Sequence, residues 1–123
     1  MILIKDNHID YAGDVVNAVH NAVKKKKENN INIPIEVEVR NFDELGELLT
    51  TEGVERVMFD NFTPEDVYKA VDIVKGRFLT EASGGITLDT IRNYGLAGVD
   101  YISVGALTHS VKSLDLSLKA KLI

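Results

Sequence analysis

The sequence has 123 residues, of which 45% are hydrophobic and 27% are charged, and it contains no cysteine. A chain of this length can form one domain with a buried core, and the missing cysteines exclude a disulfide framework and thiolate chemistry. The net charge of −5 argues against a nucleic-acid-binding protein, which would carry a basic patch. No apolar run approaches the ~20 residues of a membrane span, and no signal peptide is visible. We therefore expect a cytoplasmic protein without nucleic-acid or membrane partners.

Short apolar or alternating runs recur along the chain and predict β-strands. Each run ends in, or is followed by, polar residues or glycine. The runs cover residues 2–6, 35–39, 57–60, 78–85 and 101–105. The last four begin about every 22 residues, the length of one strand, one helix and two tight loops. The spacing predicts an α/β fold with about five βα units of a parallel barrel.

Amphipathic segments between these runs predict helices. They lie within residues 15–27, 42–49, 64–74 and 87–96. Asn41 and Thr63 are predicted N-caps, and Pro64 suits the first position of its helix. Gly98 ends the last of these helices, and a loop or a short helical turn is expected after Gly105.

Five βα units cannot close an eight-stranded barrel, which typically needs ~250 residues. Met1 already lies within the first predicted strand. We therefore expect the C-terminal part of an incomplete, TIM-like barrel from a longer protein.

Polar and glycine residues mark the ends of the predicted strands. In a parallel α/β barrel, the carboxyl ends of the strands form the active-site face. Separate strands would deliver these residues to one rim: Lys5, Glu38, Asp60, Ser83 and Gly105. Because such a site is typical of enzymes, an enzyme is the leading interpretation.

The acidic residues of the strands have both a structural and a functional interpretation. Glu36 and Glu38 share one face of their strand, and an inward-facing carboxylate needs a partner. Lys5 could supply it on the neighbouring strand, in a pair that only holds the barrel together. Asp60 could cap the turn that follows it. Together with the glycine loops described next, the carboxylates better fit a sugar-phosphate site, with or without a divalent cation.

Two loops of small residues follow the last two strands. Residues 83–85, Ser-Gly-Gly, precede Thr87, where a helix is predicted to start, and Gly105-Ala106 occupies the equivalent place one unit later. Backbone at glycine can approach a ligand closely, and N–H groups at a helix start attract phosphate. Consecutive final loops form the phosphate site of many barrels. The alternative for each loop is a simple turn.

The three histidines show no metal-ligand spacing. His20 lies beside the apolar face of the first predicted helix and is interpreted as structural. His8 and His109 fall in predicted loops at the rim.

Five motifs, taken in chain order, carry a resemblance to a known family. They are Leu3-Ile-Lys-Asp-Asn-His8, Glu36-Val-Glu-Val39, Asp60-Asn-Phe62, Glu81-Ala-Ser-Gly-Gly85 and, over residues 98–109, Gly-Val-Asp-Tyr-Ile-Ser-Val-Gly-Ala-Leu-Thr-His. Together they resemble quinolinate phosphoribosyltransferase, also called nicotinate-nucleotide pyrophosphorylase (carboxylating), from Met1 to about Leu118. The resemblance implies an N-terminal α/β sandwich domain and an incomplete barrel, assembled as a homo-oligomer. Residues 1–123 would be the C-terminal part of the barrel domain, with the sandwich and the first barrel strands outside this sequence.

The resemblance also implies an activity and its residues. The family transfers phosphoribosyl from phosphoribosyl pyrophosphate to quinolinate, giving nicotinate mononucleotide, CO2 and pyrophosphate in de novo NAD biosynthesis. By position, Lys5 would bind the anionic substrates, and Glu38 and Asp60 would face the ribose hydroxyls and the associated Mg2+. These three would be the catalytic residues. The 5′-phosphate site would comprise Ser83, Gly84, Gly85, Val104, Gly105, Ala106 and His109.

Part of the family's site has no counterpart here. The family has an arginine-rich quinolinate pocket, to which the partner subunit contributes, whereas the four arginines of this chain are not expected at the rim. We therefore expect the 123-residue chain alone to be inactive, and to associate through open sheet edges. The alternatives are a phosphoribosyltransferase-like paralogue of molybdenum-transport operons acting on another base, a non-catalytic phosphate-binding module, and a purely structural barrel.

Overall fold

The structure is a computed structural model and describes residues 1–107. Within this range the chain forms one parallel sheet of five strands with helices between them. The strands are β1 (Ile2–Ile4), β2 (Ile35–Val39), β3 (Arg56–Asp60), β4 (Leu79–Ser83) and β5 (Tyr101–Ile102). The helices are α1 (Asp6–Ala12), α2 (Val15–Glu28), α3 (Phe42–Leu48), α4 (Pro64–Val74) and α5 (Ile91–Leu96), followed by a 3-10 helix over Gly105–Leu107.

The strands lie side by side in chain order, β1-β2-β3-β4-β5, and every neighbouring pair is parallel. Crossovers between parallel strands are right-handed, so successive steps in one direction place the helices on the same side of the sheet. The other side becomes the concave interior of a barrel. The predicted α/β fold, part of an incomplete TIM-like barrel, is confirmed.

The hydrophobic core lies between the sheet and the helices. Along each strand, side chains point alternately towards the helices and towards the inner face of the sheet, because the backbone is pleated. The helix-facing strand residues are fully or almost fully buried: Val37, Val39, Val57, Phe59 and Ala82. The helices bury Val15, Val19, Leu45, Leu48, Val67 and Ala70 in the same cluster. Because these residues are buried against the helices, the alternate side chains of each strand face the concave inner side of the sheet.

Polar side chains define where three helices begin. Asp14 accepts a hydrogen bond from the backbone of Asn17 at the start of α2. Asn41 and Thr63 accept from the third residue of α3 and α4, at 2.9 and 3.2 Å, and Pro64 opens α4. The caps predicted at Asn41 and Thr63 are confirmed.

Helix α1 was not predicted from the sequence. His8, expected in a loop, lies in its first turn, where the imidazole Nδ1 accepts a hydrogen bond from the Lys5 N–H at 3.0 Å. Gly13, with φ +95°, ends the helix in the left-handed conformation that glycine adopts freely. His8 and Gly13 are local signals of the two ends of this helix. The helix was missed because it has only seven residues and one buried side chain, Ile9, so its apolar periodicity is weak.

Helix α5 is shorter than predicted. It begins at Ile91, and residues 87–90 form a turn instead of helix. The Thr90 hydroxyl accepts a hydrogen bond from the Thr87 N–H at 3.0 Å, and such side-chain contacts compete with helical backbone bonding. The glycine loop of residues 83–85 is therefore not followed directly by a helix.

No helix in the described part of the chain is long and apolar enough to cross a membrane. His109, one of the predicted site residues, lies outside the described residues.

Candidate active site

Lys5 and Glu38 meet at the carboxyl ends of β1 and β2. Ile4 pairs with Val37, so the next residue of each strand lies at the same level of the rim. The Lys5 Nζ is 3.5 Å from Glu38 Oε2. The Lys5 side chain is 52% exposed, whereas the Glu38 side chain is 10% exposed. The predicted contact of the two residues is confirmed, and the ammonium group remains accessible to a ligand.

The pKa of the Glu38 carboxyl group is raised above its usual value. Burial, which penalises the ionised form, is the main cause of its raised pKa. The Lys5 ammonium opposes the shift, and the negative charge of Asp60 adds to it. Glu38 thus lies beside the Lys5 ammonium and close enough to Asp60 for the two acidic groups to influence each other.

Asp60 and Ser83 are paired positions at the ends of β3 and β4. Asp60 is half-buried, and within residues 1–107 its carboxylate makes no hydrogen bond to the turn that follows it. The turn is held by the backbone instead, because the Asn61 N–H donates to the Ser83 carbonyl at 2.9 Å. The alternative role of Asp60 as a turn cap is therefore wrong.

Gly84 is required at the first glycine loop for two reasons. Its φ is +91°, and an added Cβ would overlap the Asn61 side chain and lie 2.7 Å from the Asn61 backbone nitrogen. Gly85 also has a positive φ, +62°, but no atom lies within 4 Å of the position that its Cβ would take. The loop therefore presents close-packed backbone on one side and open space on the other.

The second glycine loop follows β5 at the same edge. The Ser103 N–H donates to the Ala82 carbonyl at 2.9 Å, which continues the β4–β5 pairing to the rim. Val104, the first residue of the loop, is buried, and Gly105 and Ala106 start the 3-10 helix. The structure thus places Ser83–Gly85 and Val104–Ala106 at neighbouring strand ends, as predicted.

A second layer of charged residues lies below the rim, and these residues are not among the predicted site residues. Arg56, on the inner face of β3, donates to Glu81 Oε2 at 3.1 Å and lies 3.8 Å from Glu36. Its guanidinium also stacks on the Tyr101 ring, 4.0 Å from the centroid. The alternation that paired Glu36 with Glu38 could have shown that Arg56 and Glu81 face inward as well.

Arg40 corrects the expectation that no arginine lies at the rim. It follows the carboxyl end of β2, but its guanidinium is bound to Asp10 at 2.9 Å and to the Glu44 carboxylate. These two acidic partners raise the pKa of Arg40 further above its usual value. Arg40 therefore fastens α1 and α3 to the rim, and its charge is already neutralised.

Two carboxylates at the rim fit a divalent cation that is bound together with a phosphate ligand. Among residues 1–107 there is no group of three or more histidine, cysteine or acidic side chains able to hold a metal ion. Mg2+ is usually held by one or two carboxylates together with substrate phosphates and water. Glu38 and Asp60 fit that pattern, since they are two carboxylates beside a predicted phosphate site.

Comparisons with known proteins agree with this geometry. Residues 1–119 match the family model described as quinolinate phosphoribosyl transferase, C-terminal domain. The chain is 46% identical over 133 residues to the chloroplastic nicotinate-nucleotide pyrophosphorylase [carboxylating] of Arabidopsis thaliana, covering 97% of this chain and 38% of that protein. It is 46% identical over 125 residues to a probable nicotinate-nucleotide pyrophosphorylase [carboxylating] of Methanocaldococcus jannaschii, covering 95% and 42%.

A solved structure shows the same fold. The nicotinate-nucleotide pyrophosphorylase of Francisella tularensis superimposes with a TM-score of 0.78 and 43% sequence identity, over 94% of this chain and 40% of that one. The chain thus spans about two fifths of the length of its relatives. The match over nearly all of its own length shows that it belongs to the quinolinate phosphoribosyltransferase family, as that family's C-terminal domain.

Proposed function

We propose that this domain provides the phosphoribosyl pyrophosphate site of an enzyme that transfers phosphoribosyl to quinolinate. The products are nicotinate mononucleotide, CO2 and pyrophosphate. The observation that carries the proposal is the arrangement of Lys5, Glu38, Asp60 and the first glycine loop along one barrel rim. The two carboxylates match the hydroxyl groups of a ribose, and the cation and the close-packed backbone loop match its phosphates.

The carboxylates would act on the ribose. Departure of pyrophosphate from the anomeric carbon builds positive charge on the ring, and fixed negative groups nearby stabilise that charge. Glu38 is buried and its carboxyl group lies 3.5 Å from the Lys5 ammonium, so its position is set before the substrate arrives. In the ground state the same oxygens would accept hydrogen bonds from the ribose hydroxyls.

The cationic and backbone groups would bind the anionic parts of the substrate. Lys5 has its accessible Nζ at the rim and would face the pyrophosphate or the quinolinate carboxylates. The 5′-phosphate would lie against residues 83–85 and 104–106, with His109 as an additional ligand. Mg2+, carried by the pyrophosphate and facing Glu38 and Asp60, would neutralise charge on the leaving group.

Quinolinate needs further cations for its two carboxylates. Arg40 is neutralised by Asp10 and Glu44, and Arg56 lies below the rim beside Glu81. We therefore place the remaining quinolinate ligands in parts of the protein beyond residues 1–107, including a second subunit of a homo-oligomer. The cytoplasmic location also stays a prediction, since plant relatives are named chloroplastic or mitochondrial.

A chimera tests the proposed activity. The segment of the Francisella tularensis protein that matches this chain is replaced by residues 1–123, and quinolinate-dependent release of pyrophosphate is measured. We expect turnover in the chimera, and a fall in kcat of ~10²–10³ for Glu38→Gln or Asp60→Asn, because each removes a preorganised charge. Asp72→Asn, an exposed carboxylate on α4, is the matched control and should leave turnover unchanged.

The outcomes separate the alternatives. Near-parental turnover in both site variants would refute the assignment of Glu38 and Asp60. Binding of ribose 5-phosphate without any pyrophosphate release by a folded chimera would instead indicate a phosphate-binding module. Turnover with another base in place of quinolinate would indicate the paralogue.

A further inference from the structure

Glu81, Ser103 and Arg56 form a connected polar group inside the sheet, which we call the loop strut. Glu81 is 6% exposed and accepts hydrogen bonds from two side chains, Ser103 Oγ on one carboxylate oxygen and Arg56 on the other. Arg56 also contacts the Tyr101 ring of β5. The group therefore joins three neighbouring strands, β3, β4 and β5, through side chains.

The loop strut lies directly beneath the two glycine loops. Glu81 precedes Ser83 by two residues on the same face of β4, and Ser103 immediately precedes the loop of residues 104–106. Glu81 and Tyr101 are paired positions, so the hydrogen bond to Ser103 runs from β4 towards the rim end of β5. It is thus a side-chain connection from the point where β5 becomes a loop to a position two residues before the end of β4.

The backbone alone defines this junction weakly. Strand β5 has two residues, and its pairing with β4 comprises the two positions Glu81–Tyr101 and Ala82–Ile102, continued by the Ser103 N–H. By contrast, β3 and β4 pair over five positions. Hydrogen bonds to a charged carboxylate are stronger than neutral ones, so Glu81 supplies order that the short ladder lacks.

We propose that the loop strut sets the spacing of the two glycine loops, and that Ser103 is a positioning residue for the phosphate they bind together. This rests on the proposed function, in which residues 83–85 and 104–106 share one phosphate. A group bound by backbone N–H groups from two loops is sensitive to their separation, because hydrogen bonds weaken steeply outside a narrow distance range. Ser103 would then affect affinity without touching the ligand.

The same two strands offer a matched control at their other end. Thr80 donates its hydroxyl to Asp100 Oδ2 at 2.8 Å, and the Asp100 N–H donates to the Thr80 hydroxyl at 3.1 Å. Thr80 faces the helices, on the opposite side of β4 from Glu81, and lies three residues before Ser83. Thr80→Val removes a β4–β5 side-chain connection as Ser103→Ala does, but not beneath the rim.

The experiment titrates the 123-residue chain, labelled with 15N-glycine, with ribose 5-phosphate and follows the amide signals of Gly84, Gly85 and Gly105. We expect Ser103→Ala to weaken binding about tenfold, and Ser103→Thr, which keeps a hydroxyl, to bind within about twofold of the parent. Thr80→Val should also bind within about twofold, even where thermal denaturation shows that it is the less stable variant.

Two results would overturn the proposal, and they are distinguishable. Equal affinity in Ser103→Ala and the parent, or equal weakening in Ser103→Ala and Thr80→Val, would show that the loop strut is only structural. No response of the glycine signals in the parent chain would refute the phosphate role of the loops, and with it the proposed function of this rim.

Discussion

Glu36 lies on the inner face of β2 and is 1% exposed. Its Oε1 has no hydrogen-bond partner among the described residues, and the nearest cationic atom, Arg56 Nε, is 3.8 Å away, too far for a hydrogen bond. Burial is the main cause that raises the pKa of Glu36 from 4.5 to about 7, followed by the negative charge of Glu81. Arg56 lowers this pKa, whereas a side-chain hydrogen bond with Glu81 and the charge of Glu38 raise it. A proton on Glu36 is therefore favoured by folding.

This residue makes stability depend on pH. The folded chain holds a proton on Glu36 between pH 4.5 and about 7 that the unfolded chain releases, so the stabilisation is complete below pH 4.5 and is lost as the pH rises through 7. The free energy of unfolding of the parent chain should fall between pH 5 and pH 8. In Glu36→Gln this fall should be smaller, by about 2 kcal/mol. Urea denaturation at the two pH values measures it, and an unchanged pH dependence in the variant would contradict the shift.

The turn between β3 and α4 packs against the first glycine loop, and this contact connects Asp60 with the predicted phosphate site of the rim. Asn61 has a positive φ of 57°, which asparagine tolerates, and its N–H donates to the Ser83 carbonyl. The side chain and backbone of Asn61 pack against Gly84. The position of Asp60 relative to residues 83–85 thus depends on this packing.

Alanine at the two glycines separates packing from backbone strain. Gly84→Ala meets both a positive φ and the Asn61 atoms, so we expect it to lose about 2–4 kcal/mol of unfolding free energy. Gly85→Ala meets only the positive φ, and we expect a loss of about 1 kcal/mol. The midpoint of urea denaturation measures both, and equal losses would show that the Asn61 contact does not constrain the loop.

At the scale of the whole molecule, β1 leaves one side of the sheet unpaired within the described residues. A groove of about 650 Å³ runs beside it, and its lining includes Ile2, Ile4, Tyr11 and Ala22. Unpaired backbone beside apolar side chains invites pairing with another chain. We therefore expect the purified 123-residue chain to associate in solution.

A proline in β1 tests whether the open edge drives that association. The Ile2 N–H donates to the Pro34 carbonyl of the β2 side, so the alternation of backbone groups turns the Leu3 N–H towards the open edge. Leu3→Pro removes that donor without removing a β1–β2 bond, and we expect a shift towards monomer in analytical ultracentrifugation. Leu3→Ala removes apolar surface but keeps the N–H, and it should associate more strongly than the proline variant. A monomeric parent chain would contradict the expectation.

Local sequence patterns predict the five strands, four of the five helices and the order of the residues along the rim. Alternation places Glu36 and Glu38 on one face, and glycine at 84 and 85 marks a loop that needs positive φ. Repetition of one strand and one helix then predicts a parallel sheet, whose strand ends must share an edge. These features are local or follow from the spacing, so no knowledge of distant contacts is needed.

Apart from the Lys5–Glu38 pair, the ion pairs described above became visible only in the folded chain. The Arg56–Glu81 and Arg40–Asp10 contacts join residues 25 and 30 positions apart, and no short pattern identifies them. The contacts of Arg40 with two carboxylates, the unpaired Oε1 of Glu36 and the hydrogen bond from Ser103 to Glu81 all depend on how the elements pack together. Electrostatic interactions and burial depend on distances in the folded chain. The chemistry of this rim is therefore determined by how the strands and helices pack, which the sequence pattern does not specify.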